Sequence, residues 1–170
     1  MSGEIVNKIA RSGLVTLEMN SFKGMQKRAI IDIKQWLFKG LILKEKEFRL
    51  HLKDYNWSQY DQSFVAIHCS ADTIVPVWAY MLVAKYLKPF ALKTILGNHA
   101  LLEREIFEIN IKKLNLAEFK DKSILIKGCS DTYIPEESFI LITEILMDHA
   151  KSLKFGEACS NVPIFRKKNQ

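Results

Sequence analysis

Two stretches of the chain follow one hydrophobic plan. "FVAIHC" at 64–69 and "ILIKGC" at 124–129 are continuous apolar runs with the length and β-branched content of a buried strand. A short polar turn containing Asp and Thr follows each run, then a proline, Pro76 or Pro135, suited to the first turn of a helix where a missing N–H does no harm. The first predicted helix, "PVWAYMLVAKYL", is apolar almost all round, which predicts cover on both faces, and it ends before Pro89. The second, "PEESFILITEILMDHA", places Phe139, Ile142, Ile145 and Leu146 on one face with acids opposite. Short strands, "KTILG" and "SLKFG", close the two units, and a strand-helix-strand unit implies parallel pairing with a right-handed crossover.

Between them, "ALLEREIFEINIKKL" carries Leu101, Ile106 and Ile109 at near-helical spacing and predicts a third helix. The order from about Phe64 to Gly156 is therefore β-α-β-α-β-α-β, an α/β class with a layered parallel sheet, mixed at its edges. Ahead of it, "GLVTLE" and "RAIIDI" read as strands and "KEKEFRLHLKDY" as a helix. "KQWLFKGLILKE" fits neither period, and "VPIFRK" reads as a final strand at an edge.

The shared plan extends to identities. Stretches 56–97 and 115–156 are of equal length, and one extra residue before the second strand is offset by one fewer after its cysteine. Asn56, Ser63, Cys69, Ser70, Asp72, Thr73, Pro76 and Gly97 then match Asn115, Ser123, Cys129, Ser130, Asp131, Thr132, Pro135 and Gly156. An internally duplicated β-α-β unit is expected. It would sit within a single domain over 1–170, with N-terminal strands and a helix in 1–55 and a C-terminal strand in 157–170.

Composition narrows the function classes. With 170 residues, 48% hydrophobic and 26% charged, the chain is an ordinary globular protein with one sizeable core. The net charge of +6 would suit nucleic acid, but the cations are dispersed and sit beside acids, as in "KEKEFR"; only "FRKKNQ" forms a compact basic cluster. A solvated surface is the simpler account, and nucleic acid is not an expected partner. The first residues, "MSGEIVNKIARSG", lack a signal-peptide pattern, and no apolar run approaches a membrane span. A soluble, cytoplasmic protein without a membrane partner is expected. Its three cysteines, an odd number, suit a reducing compartment that keeps them free.

Those cysteines carry the candidate chemistry. Each lies in the phrase Cys-Ser with a proline following: "HCSADTIVP", "GCSDTYIP" and "ACSNVP". Cys69 and Cys129 close strands at the end where parallel sheets bind ligands, and Cys159 follows the strand ending at Gly156. If Cys69, Cys129 and Cys159 converge, their mutual repulsion calls for a soft cation, and zinc or an iron–sulfur cluster is the expected cofactor. His99 and His68 are the candidates for a fourth ligand, although strand alternation turns His68 away from Cys69.

A second reading makes Cys69 the nucleophile of a sulfur-transfer or redox enzyme, tuned by Asp72 or His68. A third makes the cysteines inert packing residues in an interaction or scaffold protein, whose all-apolar helix mediates self-association into a homo-oligomer. Phosphatase chemistry is rejected, because Val75 stands where the phosphate-binding loop needs arginine. No glycine-rich loop supports nucleotide binding. His51 and His149 suit surface or helix-end positions, and Trp36, Trp57 and Trp78 suit the core better than a base-stacking platform.

The phrases "WSQY", "VAIHCSADTIVPVWAY", "KGCS" and "FGEACSNVP" together resemble a bacterial family known as domain of unknown function 2480, found mainly in Bacteroidetes. The resemblance runs through nearly the whole chain. It implies genes near those of iron–sulfur assembly, hence assembly proteins as partners, and it implies Cys69, Cys129 and Cys159 as the family's site.

Overall fold

A computed structural model describes residues 13–128 and 133–168. The predicted elements form in the predicted order. Strands β1 (Leu14–Glu18) and β2 (Lys27–Asp32) precede helix α1 (Glu45–Asp54). Then come β3 (Ser63–His68), α2 (Val77–Leu87), β4 (Lys93–Leu96), α3 (His99–Ile111), β5 (Ser123–Lys127), α4 (Glu136–Met147), β6 (Ser152–Glu157) and β7 (Ser160–Arg166). The stretch of undecided period becomes a 3-10 turn at Ile33–Trp36 and a Phe38–Ile42 bridge.

Strand pairing divides these elements in a way the alternation alone does not indicate. There are two sheets, β2-β3-β4, wholly parallel, and β1-β5-β6-β7, with antiparallel β7 at its edge. Of the described residues, one compact unit takes those up to Gly24 together with those from Ile106 onward, and the other is Met25–Glu105. The class is α/β with mostly parallel pairing, and the edge strand tolerates Pro163, which cannot donate to a ladder.

Each unit has its own core. In Met25–Glu105, Val65 and Ile67 of β3 pack with Phe48 and Leu52 of α1 and with Ala79, Val83 and Leu87 of α2. Trp57 and Trp36 join them as core residues; Trp57 stacks on Tyr86 and its indole N–H donates to the Leu52 carbonyl at 2.7 Å. In the other unit, Ile124 and Ile126 of β5 pack with Ile142 and Leu146 of α4 and with Phe107 and Ile111 of α3.

Two expected faces are corrected. Helix α2 covers Ala79, Val83 and Leu87 but leaves Val77 72% and Met81 66% exposed, so one side of this apolar helix faces solvent. On α3 the buried stripe is Leu102, Ile106, Phe107 and Ile111, whereas Leu101 is 42% exposed. The stripe also includes Glu103, 5% exposed, whose carboxylate takes both Nε (2.9 Å) and Nη2 (3.2 Å) of Arg28 on β2. Burying Glu103 is feasible because that bidentate pair satisfies it.

Among the described residues, the turns ahead of β3 and β5 correspond. A 3-10 turn precedes each first strand, at Trp57–Tyr60 and Leu116–Phe119. Near the end of each turn, Gln62 (φ 54°) and Asp121 (φ 56°) are both left-handed. Their amides donate to corresponding carbonyls beyond the next helix, Gln62 to Phe90 at 3.1 Å and Asp121 to His149 at 2.9 Å. Pro76 and Pro135 both stand immediately before their helices, in extended conformation, as N-caps rather than first-turn residues.

Candidate functional site

The carboxyl ends of β2 and β3 are level, with Asp32 opposite His68 in the last register pair. Just beyond them the chain places a carboxylate, a thiol and a phenol. Asp32 Oδ1 accepts from the Ser70 N–H (3.0 Å) and the Lys34 N–H (3.0 Å), and its Oδ2 accepts from Ser70 Oγ at 2.5 Å. Ser70 is the residue after Cys69, so the carboxylate ties down the loop that carries the thiol. The loop is tied a second time by Thr73 Oγ1, which donates to the Leu41 carbonyl at 2.7 Å.

Electrostatics follow from these bonds. Partial burial disfavours the Asp32 charge, but the Ser70 side-chain and backbone bonds, the Lys34 N–H and nearby His68 outweigh it and hold the carboxyl below its usual range. Tyr80, on α2, moves the other way. Burial raises it first, and its electrostatic interaction with Cys69 and Asp32 adds to the effect. Cys69 is half-buried at the edge of this unit's core, and its thiol makes only a long contact, 3.9 Å, to the Ala71 carbonyl. A half-buried thiol next to a tethered loop can attack a soft electrophile as thiolate or bind a soft ligand.

His68 ends β3, half-buried, beside Asp32. His99 opens α3, and its Nε2 lies 3.7 Å from Glu103 Oε1. Cys159 is exposed in the two-residue turn joining β6 to β7. Cys129 lies outside the described residues. Among the described residues no group of three or more His, Cys, Asp and Glu side chains is placed to hold a metal ion. Asp32 and Tyr80 are the residues that the sequence reading missed; an aspartate ending a strand, "AIID", is the one signal that could have marked the first.

The corresponding edge of the other unit is built differently. Lys127, ending β5, bridges Glu18 of β1 (3.3 Å) and Glu157 of β6 (3.0 Å). Beside it, Gly128 faces the ring of Phe139, which stands edge-on to Phe155 with centroids 5.6 Å apart.

The family comparison covers these features along nearly the whole length of the chain. The model of the family described as protein of unknown function (DUF2480) matches residues 3–167. The chain belongs to this family. No curated protein and no solved structure matches it. Membership in DUF2480 covers both units and all three cysteine phrases, and among the described residues no helix is long and apolar enough to cross a membrane.

Proposed function

We propose that this DUF2480 protein works through the Cys69 thiol, in sulfur transfer or thiol redox chemistry in a reducing cytoplasm. The observation that supports this most is the Asp32–Ser70 clamp: a carboxylate takes two hydrogen bonds from Ser70 to fix the loop next to a half-buried thiol. An inert packing cysteine has no need of such a clamp. In this reading Cys69 is the nucleophile, Tyr80 donates a hydrogen bond to an anionic or sulfur-bearing ligand, and Asp32 positions Ser70 and the loop. His68 and Asp72 lie on the same segment, and iron–sulfur assembly proteins are the partners this chemistry would serve.

The test is site-resolved alkylation by mass spectrometry, followed by treatment with a polysulfide. Cys69 should react far faster than Cys159 despite being less exposed, and Cys69→Ser should abolish persulfide formation on the protein. Equal or slower reaction at Cys69 ends the proposal. The repeated Cys-Ser phrase favours a second reading, in which the cysteines ligate zinc or an iron–sulfur cluster with His99 or His68. Anaerobic purification with elemental analysis decides that one: stoichiometric zinc or iron lost on Cys69→Ser supports it, and neither metal in the protein sinks it.

A further inference from the structure

Helices α1 and α2 enclose a groove of about 500 Å³ on the surface of the Met25–Glu105 unit. Its floor is Leu50, Leu52, Leu82 and Tyr86, and its rim is Lys46, Arg49, Lys53 and Lys85. No acid lines it. The spacing explains this: Lys46, Leu50 and Lys53 share one face of α1, and Leu82, Lys85 and Tyr86 share one face of α2. Leu50 is 61% exposed, and Leu82 and Tyr86 are half-buried, so the apolar floor is open. Arg49 is engaged by Glu45 at 2.9 Å, whereas no ion pair among the described residues holds Lys46, Lys53 or Lys85.

From this geometry we infer that the α1–α2 groove docks an acidic amphipathic helix of a protein partner. Its leucine-type side chains, repeating every three or four residues, would lie on Leu50, Leu82 and Tyr86, and its flanking Asp and Glu would meet Lys46, Lys53 and Lys85. The charge pattern selects this occupant. Nucleic acid offers phosphates to the rim but nothing to desolvate the exposed apolar floor, and the groove holds a single aromatic ring on which to stack. A membrane surface would be met by a protruding apolar face, not by a recess with cations at its rim. A second copy of a chain whose net charge is +6 would bring the same cations against each other.

The experiment uses the full chain and a fluorescein-labelled synthetic helix with leucines at helical spacing and glutamates on both flanks. Fluorescence anisotropy should show saturable binding that weakens about tenfold for Lys46→Glu/Lys53→Glu/Lys85→Glu, since each exposed ion pair contributes a small factor. Leu50→Ser should weaken binding by a similar factor, and a glutamine-for-glutamate probe should bind no better to wild type than to the charge-reversed protein. All these residues line the solvent side of the helices, and an unchanged circular dichroism melt confirms that the variants fold. Binding that ignores these substitutions overturns the inference. So does tighter, substitution-sensitive binding to anionic vesicles or to an oligonucleotide, or an equilibrium dimer in sedimentation that the same substitutions dissociate.

Discussion

Asp32 shows how one side chain can organise an edge of a sheet. Its carboxyl is held below the usual range even though burial works against its charge, because hydrogen bonds from Ser70 and Lys34 and the neighbouring His68 prevail. A depressed folded-state value means that the bonus is present above the unfolded value, about 3.9, and is lost as pH falls through the folded one. Wild-type protein should therefore lose stability on acidification in a window at and below that range. Asp32→Asn should flatten this acid limb in melts recorded across pH and cost about 1 kcal/mol at neutral pH. A steeper acid limb in the variant would contradict the assignment.

Glu103 is a residue of another kind, buried and held by Arg28 through two bonds. Glu103→Ala removes two bonds from a largely buried guanidinium that also donates to the Gln26 carbonyl, and it should lower stability by about 1 to 3 kcal/mol. Replacing both partners with apolar residues of similar volume should recover most of that loss in a denaturant melt. A double variant no better than the single one would show that the pair does more than satisfy its own charges.

At the scale of elements, the loops and turns that leave the strands set each unit's carboxyl edge. In the β6–β7 hairpin, Gly156 has φ 124°, and an added Cβ would stand 2.7 Å from the Ser160 carbonyl oxygen. Backbone cannot yield there as a flexible side chain would, so Gly156→Ala should destabilise by about 1 to 3 kcal/mol and shift the Cys159 turn. Gly128→Ala meets side chains only, the ring of Phe139 at 2.7 Å and that of Phe155 at 3.1 Å, and the cost should be smaller if the two rings can shift together. Comparing the two melts tests the distinction. The exposed side of α2 gives the opposite expectation: Met81→Ser should leave stability within about 0.5 kcal/mol of wild type, because nothing covers that side chain in the monomer.

For the whole molecule, the two cores share no buried residue: Leu87 belongs to one and Leu146 to the other. Each truncation to alanine should cost about 2 to 5 kcal/mol, and the double variant should show the sum, since additivity holds for residues without common partners. Strong coupling between them in a denaturant series would mean that the cores respond as one.

The sequence by itself determined the local features. Apolar runs, prolines ahead of helices and Gly/Asn/Asp turns set the order and nearly the boundaries of every described strand and helix, because they act through backbone geometry within a few residues. The position of Cys69 just past β3 was likewise legible, since strand length alone places it. Tertiary structure alone decided the features that depend on pairing between distant segments. It sets β1 beside β5 and β2 beside β3, divides one expected sheet into two, and turns Leu102 and Glu103 rather than Leu101 inward. It also brings Asp32 to Ser70 across 38 positions, and leaves one side of an all-apolar helix uncovered. Hydrogen-bond register and side-chain packing are long-range choices, and a one-dimensional pattern of polarity offers several that satisfy it equally well.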